Sequence, residues 1–341
     1  MRTRIVFAIS LAVFASIQAH AALFNGSGVR TNPITVCFVG DAITSRASRV
    51  QQILTYIQEY QFAANVQFSF LGACPPPTPQ PNGSDFFDGD IRIVIPATSV
   101  DATTNQIPGK GCPPGNTGDW GSFSNFPNDL PVARPCLYNM KLGDDGVGGT
   151  PYLNHTLHEF GHALGLAHEH IRSDATAAIC AESGFGGSVS TGFMTPYDRS
   201  SVMNYKFPTC GINGNYDNTG LSEFDRLAAH ILYPEVNRVA EFVGTTVVRS
   251  TDTISLRSGW EDRGANLAFV ASNFNWTVAG VVTSWTPDLN LSLPVGVYAI
   301  EYSYTDFLGR SYSYRGILRV VPPPAFDQQI AAPIAASLPL L

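Results

Sequence analysis

The sequence contains the segment His158-Glu159-Phe160-Gly161-His162-Ala163-Leu164-Gly165-Leu166-Ala167-His168, which has the form H-E-x-x-H-x-x-G-x-x-H. On a helix, His158 and His162 lie on one face about one turn apart, so both can bind the same metal ion. Gly165 can adopt the left-handed conformation that ends a helix, and the chain can then return to supply His168 as a third ligand. Three protein ligands leave one position of a zinc ion open, as in catalytic rather than structural sites.

An alternative interpretation of this segment is a buried helix with incidental histidines. The chain has 7 histidines, and those outside the first 21 residues lie almost all between positions 155 and 170. That clustering disfavours the alternative. The other side of the same helix carries apolar residues at helical spacing, namely Leu153, Leu157, Phe160 and Leu164. The sequence therefore predicts one helix with metal ligands on one side and core contacts on the other.

A second motif, Ser201-Val202-Met203-Asn204-Tyr205, lies downstream of the histidines. The two motifs together resemble the metzincin clan of zinc endopeptidases, in which a methionine forms a turn below the metal. The resemblance implies an α+β catalytic domain, with a mixed twisted sheet and an active-site helix, that binds Zn²⁺ and cleaves a protein or peptide substrate. It also implies that Met203 packs its soft apolar side chain below the ligands.

Within the clan, the sequence is most similar to the astacin family. Glu169, Arg172 and Asp174 resemble the residues that follow the third histidine in astacins, and residues 197–205 resemble the astacin methionine segment. Asn204 departs from that pattern, because astacins usually have histidine there. Serralysins, which share a tyrosine after the methionine, therefore stay an alternative, whereas matrixins fit less well.

The astacin resemblance implies roles for two further residues. Tyr205 would be an additional zinc ligand that moves to stabilise the tetrahedral intermediate, and the alternative is a core or loop tyrosine. Glu169 would pair inside the protein with the amino terminus of the mature chain near Ala22. The alternative for Glu169 is a solvated surface position after the helix.

Residues 1–21 are predicted to form a secretory signal peptide, in which Arg2 and Arg4 precede an apolar stretch and Ala19-His20-Ala21 forms the cleavage site. We therefore expect a secreted protein, extracellular or periplasmic. The apolar stretch is too short for a transmembrane segment, and no other segment is long enough. The net charge of -7 and the low lysine content argue against nucleic acid or an anionic membrane as a partner.

Six cysteines in an exported chain favour three disulfides. Structural zinc binding by these residues is disfavoured, because the C-x-x-C spacing typical of such sites does not occur in the sequence. Many connectivities are compatible with six cysteines. Local pairing predicts Cys37–Cys74, Cys112–Cys136 and Cys180–Cys210.

The pattern along the chain predicts two domains. Residues 22–237 mix strands and helices and form the predicted catalytic domain, whose last helix begins at Ser222, before Pro234 stops it. Residues 240–322 contain short β-rich segments separated by turns, which favour an all-β, Ig-like sandwich. Residues 323–341 are predicted to be a disordered tail. A chain that ends near position 237 is expected to fold alone.

Aromatic residues of the predicted sandwich suggest a carbohydrate or protein ligand, although core packing is the ordinary alternative. They are Trp260, Trp276, Trp285, Tyr302 and Tyr304.

The sequence as a whole predicts a secreted zinc endopeptidase. Glu159 lies beside the face that carries the ligands, where its carboxylate can take a proton from a water that the zinc activates. The alternative class is a binding protein, in which an adhesive β-sandwich is joined to a metal domain that has lost activity. The intact Glu159 disfavours this alternative, because an inactive copy has no need of the base.

Overall fold

The computed structural model of the 341-residue chain describes residues 21–24, 28–81, 85–95, 123–124, 136–143, 152–172, 192–204, 220–234, 242–258, 265 and 271–322. Several predictions fall elsewhere. Residues 1–20 of the signal peptide, the tail at 323–341, Asp174, Tyr205 and Trp260 lie outside the described residues.

The described residues form both helices and strands, so the protein is of mixed α/β type. The helices are α1 Ala42–Ser45, α2 Ala47–Tyr56, α3 Gln58–Ala63, α4 Tyr152–Leu164 and α5 Glu223–Leu232, and a 3-10 turn spans Glu169–Ile171. The first strands are β1 Ala21–Phe24, β2 Ile34–Phe38, β3 Phe68–Ala73, β4 Thr78–Pro79, β5 Asp85–Phe86, β6 Ile91–Val94, β7 Phe123–Ser124, β8 Met140–Lys141, β9 Leu166–Ala167 and β10 Phe193–Thr195. The later strands are β11 Phe242–Gly244, β12 Val247–Arg249, β13 Ile254–Ser258, β14 Ala271–Val278, β15 Val281–Ser284, β16 Leu289–Leu291, β17 Gly296–Asp306 and β18 Ser311–Val321.

A five-stranded sheet with the order β3-β2-β6-β8-β7 forms the main layer of the first region. Strand β2 pairs in parallel with β3 and β6, β6 pairs in parallel with β8, and β7 is an antiparallel edge. All four residues of β6 are buried, as is typical of a parallel strand covered on both faces. Helices α2 and α4 pack against each other. This arrangement confirms the predicted combination of a mixed sheet with the helix that carries the histidines.

Two segments have sequence patterns that extend beyond the elements observed. Apolar residues recur at helical spacing over 48–60, but the backbone hydrogen bonds change at Ile57 from the i−4 to the i−3 pattern, and α2 and α3 are separate. Of residues 136–142, only Met140–Lys141 form a strand, β8, and the carbonyl oxygens of Cys136 and Leu137 accept from the Arg92 guanidinium instead.

Strand β1 was not predicted, and it contributes most to the surroundings of the histidine segment. It lies between β9 and β10 and is antiparallel to both. Leu23 is opposite Ala167 on one side and Phe193 on the other. Ala21, the last residue of the predicted signal peptide, is the first residue of this strand.

The second region is rich in β-structure, and no helix occurs in its described residues (242–258, 265 and 271–322). Its sheets have the orders β11-β13-β16 and β12-β18-β17-β14-β15. The indole of Trp276 stacks on Tyr302 with ring centroids 4.1 Å apart, and both are fully buried. Tyr304 is also buried, which supports core packing for these three aromatics, whereas Trp285 is 71% exposed. The Ig-like arrangement stays a prediction.

One disulfide joins Cys37 of β2 to Cys74, the first of the predicted pairs, across a Cα–Cα distance of 4.8 Å. Cys136 is also disulfide-bonded. The remaining cysteines, Cys112, Cys180 and Cys210, lie outside the described residues, and one of them is its partner. Among the described helices, none has the length and hydropathy needed to cross a membrane.

Candidate metal centre

Helix α4 carries the first two histidines of the motif and packs into the core with its other side. Leu157, Phe160 and Leu164 are at most 1% exposed, and the ring of Phe160 meets Phe68 edge to face at 5.5 Å. His158 is 8% exposed and His162 is 6% exposed. The helix therefore has the two functions that its sequence pattern predicts: it anchors in the core and presents the imidazoles at the opposite face.

Gly165 ends α4 and redirects the chain. Its φ is +110°, in the region that favours glycine, and its N–H donates to the carbonyl oxygen of His162 at 3.0 Å. A Cβ at this position would lie 3.0 Å from the carbonyl oxygen of Gly28. The chain then passes through β9, which pairs with β1, and reaches His168.

The three histidines converge on one point through their Nε2 atoms. The Nε2 atoms of His158 and His162 are 3.1 Å apart, those of His162 and His168 are 2.9 Å apart, and those of His168 and His158 are 3.1 Å apart. A tetrahedral zinc ion with Zn–N bonds of ~2.0–2.1 Å separates its nitrogen ligands by about 3.3 Å. The cluster therefore has nearly the size and shape of one face of such a site.

The tautomers of two histidines explain why this cluster fits a cation. His158 Nδ1 lies 2.7 Å from the carbonyl oxygen of Val202, and His162 Nδ1 lies 2.7 Å from that of Leu166. A carbonyl oxygen only accepts, so each Nδ1 carries the proton and each Nε2 presents a lone pair. Lone pairs that face one another at 3.1 Å repel, and a metal ion between them removes the repulsion.

Burial keeps the rings neutral, which is the form that binds zinc. Burial lowers the pKa of His162 to about 4. The pKa of His158 is lowered well below its usual value by burial and then by His162, and the pKa of His168 is lowered by burial and by the two other rings. A metal ion at the cluster therefore competes with protons only in acid.

Glu159 lies next to His158 and is 6% exposed. Its Oε2 atom is buried and has no hydrogen-bond partner in the part of the chain that the structure describes. Burial raises the pKa of Glu159 to about 8. A buried carboxyl oxygen without a partner is costly, and a nearby cation or a polar ligand offsets that cost. A cation at the histidine cluster would therefore favour the ionised form of this carboxyl group.

Met203 packs against the backbone of α4 at Gly161, between the first two histidines. A Cβ on Gly161 would lie 2.5 Å from Met203 Sδ and 2.9 Å from the Tyr60 hydroxyl oxygen. Tyr60 is fully buried and donates its hydroxyl to the carbonyl oxygen of Leu157 at 2.8 Å. The methionine thus lies under the helix that carries the ligands, and only glycine leaves room for it.

Helix α5 holds the segment that contains Met203. Asp225 and Ser222 form a capping box at the start of α5, the N-terminus predicted from the sequence. The Asp225 carboxylate also accepts from Ser201 Oγ at 2.6 Å and from the N–H of Val202 at 2.9 Å. Burial raises the pKa of Asp225, while the bonds from Ser201 and Val202 act in the opposite direction.

Glu169 is not at the surface, so the solvated alternative is wrong. Glu169 and Arg172 form an ion pair in which both side chains have 0% exposure, with Arg172 Nη1 3.3 Å from Glu169 Oε2. The N–H of Asp198 donates to Glu169 Oε1 at 3.2 Å. Arg172 also donates to the carbonyl oxygen of Thr195, which is opposite Ala21 of β1. The start of β1 is therefore near this ion pair.

Sequence reasoning missed His170 and Gly161 near the cluster, and it recognised Asp225 only as part of the start of the last helix. His170 is 1% exposed and stacks on the His168 ring with centroids 4.9 Å apart. Gly161 and Asp225 act through contacts with residues far along the chain. Gly161 could have been found from the sequence, because a glycine within a helical pattern usually has a packing reason. No sequence signal connects Asp225 with Val202.

Comparisons with known proteins add little to this geometry. No family model and no curated protein matches the chain. Among solved structures, high choriolytic enzyme 1, a hatching enzyme zinc-protease from the medaka fish Oryzias latipes, is similar at 17% identity and a TM-score of 0.36, over 60% of this chain and 92% of that one. The Bacteroides ovatus mixed-linkage glucan utilization locus protein SGBP-B, in complex with a mixed-linkage heptasaccharide, is similar at 16% identity and a TM-score of 0.19, over 26% of this chain and 21% of that one. Both scores are too low to support a shared fold or function.

Proposed function

We propose that the protein is a zinc-dependent endopeptidase of the metzincin type, and that it resembles the astacin family. The observation that supports this proposal is the convergence of three Nε2 atoms within 3.1 Å of one another, beside a buried carboxyl oxygen without a partner among the described residues. Histidine ligands suit zinc, and three of them leave a position for a water or a substrate oxygen.

The residues of the chain have separate roles in the proposed reaction. His158, His162 and His168 hold the zinc ion, which supplies Lewis acidity when it is bound. Glu159 accepts a proton from the attacking water at Oε2 and returns it to the leaving amine. Burial raises the pKa of Glu159 to about 8 in the metal-free protein, and a cation at the histidine cluster would lower it towards the range in which the carboxylate accepts a proton. Tyr205 is proposed to donate to the oxyanion that forms at the scissile carbonyl.

The proposed substrate is a protein or peptide outside the cytoplasm. The signal pattern of residues 1–21 and the Cys37–Cys74 disulfide both favour an oxidising, extracytoplasmic compartment.

The experiment is digestion of casein and of a proteome-derived peptide library by the purified protein, with its metal content measured by mass spectrometry. We expect about one zinc per chain and cleavage that stops with a chelator and returns with zinc. Zinc-loaded protein that cleaves no peptide would favour the alternative, a binding protein with an inactive metal domain.

A further inference from the structure

The turn between β17 and β18 contacts the first region at the end of α5. The Arg310 guanidinium donates through Nη1 to the carbonyl oxygen of Leu232 and through Nη2 to that of Ile231, each at 2.9 Å. The last carbonyl groups of a helix have no partner within the helix and carry partial negative charge. A cationic donor from the β-rich region therefore caps the helix whose other end holds Ser201 and Val202.

Hydrogen bonds within the turn fix the orientation of Arg310. Asp306, which is 8% exposed, binds Arg310 Nε at 2.6 Å through Oδ2 and accepts the N–H groups of Leu308 and Arg310 through Oδ1, both at 2.9 Å. The hydroxyl of Tyr312 donates to Asp306 Oδ2 at 3.2 Å, and Gly309 has a φ of +80°. Because these bonds within the turn already restrain the Arg310 side chain, its contact with the helix costs little additional conformational entropy.

A second contact reaches strand β1. The ring of Phe307 meets that of Phe24 edge to face, with centroids 5.1 Å apart. Phe24 is opposite Leu166 of β9, whose last residue directly precedes His168. Buried side chains of both regions, Leu232 and Tyr304 among them, belong to one hydrophobic core.

We propose that residues 306–310 form an intramolecular clasp on the metal-binding region. The clasp holds the C-terminal end of α5, which supports His158 through Val202, and strand β1, which pairs with the strand that precedes His168. The β-rich region is then part of the same folding unit as the metal-binding region and not a separable module, contrary to the expectation that a chain ending near position 237 folds alone. This inference goes beyond the proposed protease activity and holds whether or not the cluster supports hydrolysis.

The test uses the full-length, metal-free protein with three variants. Arg310→Met removes the donors to α5, and Phe307→Leu removes the ring contact to β1. The control, Arg315→Met, removes an arginine of strand β18 whose side chain is 81% exposed and pairs with Glu301. The measurements are Tm and amide hydrogen exchange at Phe24 and Tyr233, whose N–H groups donate to Gly192 and Ala229.

We expect Arg310→Met to lower Tm by about 5 °C and to speed exchange at Tyr233 by about tenfold or more. Phe307→Leu should speed exchange at Phe24 in the same way, and Arg315→Met should change neither position. Wild-type Tm and exchange in both clasp variants would overturn the proposal, as would equal effects in the control. Phe307→Leu alone decides the matter if Arg310→Met does not fold. No readout depends on zinc, so failure of the proposed protease function leaves this result interpretable.

Discussion

His158 and Asp225 are connected through the backbone of a single residue, Val202. The carbonyl oxygen of Val202 lies 2.7 Å from His158 Nδ1, and the N–H of Val202 donates to Asp225 Oδ2 at 2.9 Å. The bond at Nδ1 fixes the ring orientation and places the Nε2 lone pair towards the other two histidines. Asp225 therefore helps to position a proposed metal ligand that it does not touch.

The first prediction concerns this connection. Asp225→Ala removes both acceptor oxygens, so the hydrogen bonds from Val202 and Ser201 are lost. A buried hydrogen bond lost in this way costs about 1–3 kcal/mol of stability, and zinc affinity should fall about tenfold. Zinc competition with a chromophoric chelator and thermal unfolding measure the two effects. Glu223→Gln, at an exposed position of the same helical turn, is the control and should match wild type.

The second prediction concerns Glu159. Glu159→Gln keeps the size of the side chain and all three histidines, so zinc should stay bound. Loss of the proton acceptor should lower kcat for peptide hydrolysis by about 10³-fold or more. Steady-state kinetics on a quenched fluorescent peptide, with the zinc content of the same sample, test this. Wild-type turnover in the variant would exclude Glu159 as the base.

The third prediction concerns metal removal. His162→Ala leaves two ligands and should abolish zinc retention through gel filtration. The variant should melt at the temperature of chelator-treated wild type, because bound zinc stabilises only the folded chain. His230→Ala, on α5 outside the cluster, should keep both the metal and the wild-type Tm. Full zinc occupancy in His162→Ala would contradict the ligand assignment.

The fourth prediction concerns the packing of Met203. Glycine to alanine inside a helix ordinarily gains about 0.5–1 kcal/mol, but a Cβ on Gly161 would lie 2.5 Å from Met203 Sδ. Overpacking of this kind costs about 1–3 kcal/mol, so Gly161→Ala should destabilise the protein. In a Met203→Ala background the same change should cost less, because the sulfur is gone. Denaturant unfolding of the four proteins measures the coupling, and additive effects would show that the two residues are not in contact.

Local sequence patterns were sufficient to predict the histidines at the centre of the site. Spacing alone places His158 and His162 on one face of α4, and the box formed by Ser222 and Asp225 marks where α5 begins. Contacts between distant segments were not predictable. Strand β1 has four residues, without a periodic pattern, and its partners lie far along the chain. The split between α2 and α3 likewise reflects one hydrogen-bond change at Ile57 that apolar spacing does not encode.

The buried ion pair of Glu169 and Arg172 bears on how the mature protein forms. Both side chains have 0% exposure, and Arg172 donates to the carbonyl oxygen of Thr195. Thr195 is opposite Ala21 at the start of β1. Cleavage before Ala22 would place a new ammonium group at the start of β1, the strand that pairs with Thr195. The astacin resemblance implies that this group pairs with Glu169, and we propose that signal cleavage itself creates the active form.

The fifth prediction distinguishes two ion-pair partners of Glu169, the Arg172 guanidinium and the amino terminus of the mature chain. Glu169→Gln leaves the Arg172 guanidinium buried without its counter-charge, which typically costs ~3–5 kcal/mol, so Tm should fall whatever the amino terminus does. Two residues added before Ala22 leave the ion pair intact but move the ammonium group away, and we expect Tm and kcat to fall here as well. Thermal unfolding and peptide kinetics on both variants test this. If the extended protein matches wild type while Glu169→Gln does not, the carboxylate serves Arg172 alone, and signal cleavage has no part in forming the active site.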